Sequence, residues 1–271
     1  MRALEIAILT MALLATSCSS NSIPHFNGLP KLGGQGAKAP DVPTPRLVMF
    51  IGVDISGSFM HGKYFDDSLE FLARYIHAHV NGLGGMEIPH SLFVGSIGGN
   101  KKDEAKTLFP IQMFQDRSVE QIEAQLHLLF PKKRENPFTD FNAFFQQVSD
   151  MVDQKKLILK PISVLLITDG KPDLGGATKS ARFHKITLKP LEKLSRNITL
   201  RVLYTDAVTA KDWRDEVPRK RVKVWTQDAM VMADWSDPKT LVPGRSDGEQ
   251  VKFFAWVRDN VDFQPRLRRV D

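Results

Sequence analysis

Leu47-Val48-Met49-Phe50-Ile51-Gly52-Val53-Asp54-Ile55-Ser56-Gly57-Ser58 is the stretch that decides the fold. Residues 47–53 are apolar without alternation. Such a run reads as a strand buried on both faces, as in a parallel sheet covered by helices on either side. It stops at an aspartate followed by two spaced hydroxyls. A second run, Ile162-Ser163-Val164-Leu165-Leu166-Ile167, has the same form and stops at Thr168-Asp169-Gly170. Each strand therefore delivers an acidic side chain at its carboxyl end, where open α/β sheets bind their ligands.

The segments between and beyond these runs alternate in period. Phe65, Leu69, Leu72, Ile76 and Val80 share one face of a helix over 65–80. Residues 91–97 read as a strand. Residues 108–114 read as another, bent or at an edge because Pro110 has no N–H to give to a ladder. A helix over 118–130 opens on Ser118 with Gln121 completing a capping box. A further helix over 139–154 turns Phe141, Phe144, Phe145, Val148 and Val152 inward. After the second apolar run come helical segments near 188–196 and 211–216 and strands over 198–204 and 221–225. A closing helix over 248–260 turns Val251, Phe254 and Ala255 inward, with Val257 or Val261. Strands alternating with helices predict an α/β domain built from βα repeats, a single unit over 46–262.

The 271-residue length suits one such domain plus an anchor. The formal net charge of +6 is spread in short clusters along the chain, without zinc-finger spacing, an RNA-binding signature or basic–aromatic interleaving, so no nucleic acid is expected as a partner. Cys18 is the single cysteine, which excludes an internal disulfide and a thiolate metal cluster. Arg2, the apolar run Ile6–Ala15 and the small residues Ala15, Thr16 and Ser17 lead into it. The run is short for a bilayer span but has the length of a signal-peptide core. The arrangement resembles the lipobox of bacterial lipoproteins. That resemblance implies a signal segment over 1–18 ending at a lipidated Cys18, and an anchor in a bacterial cell-envelope membrane. Ser19 in the next position implies the outer membrane. Residues 19–45 carry Pro24, Pro30, Pro40, Pro43 and Pro45 with Gly33, Gly34 and Gly36, and read as a flexible tether. Residues 263–271 form a basic tail.

Asp54 and Asp169 offer hard carboxylate oxygens, and Ser56 and Ser58 offer hydroxyls that one turn can aim at one point. All-oxygen ligation with few charges suits Mg²⁺ or Mn²⁺, with water completing the coordination. Either segment alone could equally cap a helix. Together, Asp54-Ile55-Ser56-Gly57-Ser58, Thr139 in Pro137-Phe138-Thr139-Asp140, and Asp169 in Leu166-Ile167-Thr168-Asp169-Gly170 resemble the metal-ion-dependent adhesion site of the von Willebrand factor type A (VWA) family. The resemblance spans roughly 46–262. It implies a doubly wound, mostly parallel, Rossmann-like sheet flanked by helices, with one antiparallel edge strand for which the Pro110 segment is the candidate. It further implies that Ser56, Ser58 and Thr139 ligate the metal, that Asp54 and Asp169 hold it directly or through water, and that an acidic protein partner supplies the last carboxylate. Phe59, His61 and Lys171 are expected on the partner-binding rim. The function expected is metal-dependent protein–protein interaction or adhesion at an envelope surface, without enzyme activity. The rival readings are a metal-dependent hydrolase and an envelope scaffold with a vestigial metal site. Val94-Gly95-Ser96-Ile97-Gly98 falls short of a nucleophile elbow, because Val94 stands where glycine is needed.

Overall fold

A computed structural model describes residues 44–99, 106–132, 138–174, 178–194 and 198–263. The expected signal segment, Cys18, nearly all of the tether and residues 264–271 lie outside the described residues. Everything described falls within one compact unit, Pro43–Asp271.

Six strands form one sheet: β1 (Val48–Asp54), β2 (Ser91–Ile97), β3 (Phe109–Pro110), β4 (Ile162–Ile167), β5 (Ile198–Thr205) and β6 (Lys223–Asp228), in the order β3-β2-β1-β4-β5-β6. The pairs β1–β2, β1–β4, β4–β5 and β5–β6 are parallel, and β2–β3 is antiparallel. This is the doubly wound α/β fold with one antiparallel edge. Strand order reverses direction between β1 and β4, which makes their carboxyl ends the topological switch point.

The unbroken apolar runs have a direct physical cause. Successive side chains of a strand point to opposite faces, and both faces here are covered. Met49, Ile51, Val53, Leu165 and Ile167 join one core; Val48, Phe50, Ile162, Val164 and Leu166 join the other. On the first face lie α1 (Gly57–Met60), α2 (Phe65–Val80) and α3 (Val119–Leu129). The opposite face carries α4 (Phe141–Gln154), α5 (Lys179–Phe183), α6 (Lys189–Glu192) and α7 (Ala207–Asp215). The chain then returns to the first face with α8 (Ala229–Ala233) and α9 (Val251–Asn260). Ser118 and Gln121 form the expected capping box, with Gln121 N donating to Ser118 Oγ and Ser118 N to Gln121 Oε1. All five residues expected to face inward from the 139–154 helix are buried.

Several boundaries differ from expectation. The Pro110 strand is only two residues long, because the chain turns into a 3₁₀ segment at Ile111–Met113. Helix α4 starts at Phe141, since Asp140 caps it by accepting from Ala143 N, leaving Thr139 outside the helix. Helix α7 starts at Ala207 rather than 211, because Asp206 caps it. The last strand is shifted to Lys223–Asp228. In α9, Val251 is 65% exposed and Phe253 is buried in its place, because a 3₁₀ turn over Asp247–Glu249 resets the helical phase. Among the described residues no helix is long and apolar enough to cross a membrane.

Candidate metal centre

Asp54 ends β1 and is fully buried. Its two oxygens face different elements. Ser56 N donates to Oδ1 at 2.8 Å, closing the turn that the Asp-x-Ser spacing permits. Thr168 Oγ1, at the exit of β4, donates to Oδ2 at 2.6 Å, and Gly170 N in turn donates to Thr168 Oγ1 at 2.9 Å. Burial pushes the Asp54 carboxyl up to about 6, against the lowering effect of the Thr168 and Ser56 hydrogen bonds, and the nearby Asp169 carboxylate pushes it the same way as burial. This is a carboxylate whose charge the protein alone leaves incompletely compensated.

The hydroxyls follow from the same turn. Ser56 is buried, Ser58 is exposed, and their Oγ atoms lie 3.3 Å apart. Ser56 stands at the N-cap of α1 but makes no side-chain capping hydrogen bond, so its hydroxyl is not consumed by the helix. Asp169 sits one residue past Thr168 with its side chain 17% exposed. It receives Lys171 N on Oδ1 at 3.1 Å and faces Lys171 Nζ from Oδ2 at 3.3 Å.

Thr139 is 4% exposed and reaches the site through backbone contacts on both sides. On one side Phe138 forms an antiparallel bridge with Gly99, just past β2. On the other, Asp173 N, in the loop after Asp169, donates to the Thr139 carbonyl at 3.3 Å. Gly98 makes this approach possible. Its φ is +85°, and a Cβ there would stand 2.2 Å from the Phe138 carbonyl oxygen. Ile97, its neighbour, is paired with Asp54. Residues 54, 56, 58, 139 and 169 are thus gathered at the carboxyl ends of β1, β2 and β4.

The donor set fits a hard divalent cation. It is all oxygen, it has few carboxylates, and one of those is a buried carboxylate without a cationic partner among the described residues. Among the described residues no three His, Cys, Asp or Glu side chains are grouped so as to hold a metal, so a site here depends on the hydroxyls.

The rim differs from expectation at one position. Phe59 is not on it: the ring is 3% exposed, packed edge-on against Phe65 at 5.9 Å and Tyr204 at 6.3 Å. The α1 turn directs it inward, where an aromatic ring releases more free energy than in water. His61 is exposed. Lys171 is at the rim, yet its ammonium is already engaged by Asp169 and lies 4.0 Å from Asp206 Oδ2. Sequence reasoning passed over Thr168, which stands beside Asp169 in the motif and bonds to Asp54. The available signal was a lone hydroxyl ending an apolar strand.

No family model and no curated protein matches the chain. Among solved structures, proximal thread matrix protein 1 from the mussel byssus, with a zinc-occupied MIDAS motif, overlaps 78% of this chain and 48% of its own at 13% identity and a TM-score of 0.43. The VWA domain of SpRpn10 overlaps 75% of this chain and 93% of its own at 9% identity and a TM-score of 0.37. Manganese-loaded TRAP protein from Plasmodium vivax overlaps 68% of this chain and 69% of its own at 17% identity and a TM-score of 0.39. The chain spans about half the length of the mussel protein. At TM-scores below 0.5 these likenesses decide nothing about this chain. Its class, a doubly wound α/β sheet with oxygen side chains gathered at the switch point, rests on its own strand order and contacts.

Proposed function

We propose that this chain is a metal-dependent binding domain of a cell envelope. Asp54, Ser56, Ser58, Thr139 and Asp169 hold a divalent cation, Mg²⁺ or Mn²⁺, and an acidic protein partner supplies a carboxylate to it. The observation that carries this reading is Asp54: a fully buried carboxylate, opposed by Asp169, beside two hydroxyls that no helix cap consumes. A bound cation compensates both carboxylates. Few carboxylates around the metal leave it electrophilic enough to attract another anion from outside. Cys18, lipidated, anchors the chain to the membrane, the outer membrane of a bacterium by the identity of Ser19, with residues 19–45 as the spacer.

Thermal unfolding of the full chain with Mg²⁺ and with Mn²⁺, alongside calorimetric titration, tests the site. A cation at about a hundred times its Kd stabilises the folded state by about 2.7 kcal/mol, which for a domain of this size raises Tm by roughly 5–10 °C. The Ser56→Ala/Ser58→Ala variant should show no such rise. Silence in wild type and variant alike, with both folded, would sink the metal site. A positive result leads to capture of acidic peptides in Mg²⁺ and in chelator, where binding that survives the chelator would remove the metal from the interaction.

A further inference from the structure

The other end of the sheet carries a partly open cavity of about 920 Å³. It is lined by Leu47 and by the first residues of β4, β5 and β6 or their neighbours, Ile162, Thr199 and Lys223, so it lies at the amino ends of the strands, away from Asp54. The volume is in the range of small-molecule sites, about 300–1,000 Å³.

Its charge is one-sided. Arg201, Arg219, Lys223 and Arg258 line it, against the carboxylates Glu87 and Asp262. Asp262 is already satisfied from within the protein: Tyr75 Oη donates to it at 2.8 Å, and His79 Nε2 lies at 3.2 Å. Neutral oxygens hold the arginines in place, and among the described residues only Arg201 of the three also lies near an acid, 4.0 Å from Asp262 Oδ1. Arg219 donates to the Trp213 and Val217 carbonyls and Arg258 to the Gly84 carbonyl. Arg201 donates to the Val261 carbonyl at 2.6 Å and to Ser163 Oγ at 2.7 Å. Among the described residues no carboxylate lies within ion-pair distance of Arg219, Lys223 or Arg258. Guanidinium groups fixed by carbonyls keep donors free for an incoming anion.

The remaining wall is mixed, with Met49, Val224, Trp225 and Phe263 as its apolar part and Ser163, Thr199 and His79 as polar members. The rings of Trp225 and Phe263 lie 4.9 Å apart. A second, independent observation concerns Trp225: its indole Nε1 is buried and has no acceptor among the described residues. Buried donors in folded proteins are nearly always paired, so the Trp225 side of the wall is one the protein's own groups leave incompletely satisfied.

We propose that this cavity binds a small amphipathic anion, an acid group on an apolar body, with the acid at the Arg219–Lys223–Arg258 rim and the apolar part against Trp225 and Phe263. The proposal is independent of any metal at the opposite end of the sheet.

The test titrates the full chain with dodecanoate below its micellar concentration, with dodecanol and dodecylammonium as the neutral and cationic counterparts, by calorimetry and tryptophan fluorescence. Dodecanoate should bind saturably, one per chain, at least about tenfold more tightly than either counterpart, the order expected for a charge-assisted contact. Lys223→Glu/Arg258→Glu, two exposed positions, should weaken dodecanoate at least about tenfold with Tm unchanged. If that variant does not fold, Lys223→Ala replaces it, with a loss of about threefold expected. Absence of saturation, equal affinity for the alcohol, or undiminished binding in the folded variant would overturn the proposal. So would binding to phosphatidylglycerol vesicles without binding to dodecanoate, which assigns the basic edge to a membrane surface.

Discussion

Thr168 shows how one hydroxyl decides the condition of a carboxylate. It donates to Asp54 and accepts from Gly170, so it ties the exit of β4 to the exit of β1 at the switch point. Without it, Asp54 Oδ2 would keep its burial and lose its donor. A buried acceptor left unpaired costs about 1–3 kcal/mol, more when charged. Thr168→Val, which keeps the shape and removes the donor, should therefore lower stability in urea unfolding at pH 7 by at least that amount. Thr168→Ser should recover most of the loss. Equal stability of the valine variant and wild type would show that the contact contributes nothing. In the sequence, Thr168 shows only a hydroxyl between a buried strand and Asp169, and its role is not read from that, because its importance lies with a residue on another strand.

At the scale of elements, the site is assembled by loops that meet, and Gly98 is the closest meeting. The β2 exit passes so near the Phe138 carbonyl that a Cβ would overlap it, and the residue's φ of +85° is one that side chains disfavour. Gly98→Ala should cost about 2 kcal/mol or more in urea unfolding, from backbone strain and displacement of the 138–139 segment. Because Thr139 moves with that segment, the variant should also bind Mn²⁺ more weakly in calorimetry than wild type. Loss of stability with unchanged Mn²⁺ affinity would remove Thr139 from the metal site. The elements themselves were largely legible. Helix 65–80 and strands 91–97 and 162–167 fall where periodicity puts them, because a two-sided parallel sheet imposes strong patterns on its strands and covering helices. Helices α5 and α8 escaped notice, since helices this short carry less than two turns of pattern.

At the scale of the whole molecule, Asp262 latches the end of the described chain to the sheet. Tyr75 and His79 of α2 bond its carboxylate, and Arg201 of β5 lies 4.0 Å away while donating to the Val261 carbonyl. Burial alone would raise the Asp262 carboxyl, but His79, Arg201 and Tyr75 outweigh it and hold the group below its usual value. The sign of the linkage follows. A depressed folded pKa contributes stability at pH values above the unfolded pKa, about 3.9, and that stability is lost as pH falls through the folded value. Asp262→Asn should therefore be less stable than wild type by about 2–4 kcal/mol at pH 7, with the gap closing below about pH 4. A gap constant from pH 7 to pH 2 would mean that the carboxylate's charge is not what the latch uses.

The sequence by itself determined the layered α/β architecture, the position of the two acidic strand ends and the oxygen character of the candidate site. Unbroken apolar runs and the Asp-x-Ser-x-Ser spacing are local properties that survive in one dimension. Only the tertiary structure decided that Phe59 belongs to the core rather than the rim, that Lys171 is engaged by Asp169, and that Thr168 holds Asp54. It also decided that arginines far apart in sequence, Arg201, Arg219 and Arg258, share one cavity. Each of these depends on which residues of separate strands and helices become neighbours. That is set by strand order and by the hand of the crossovers, which no window of the sequence contains.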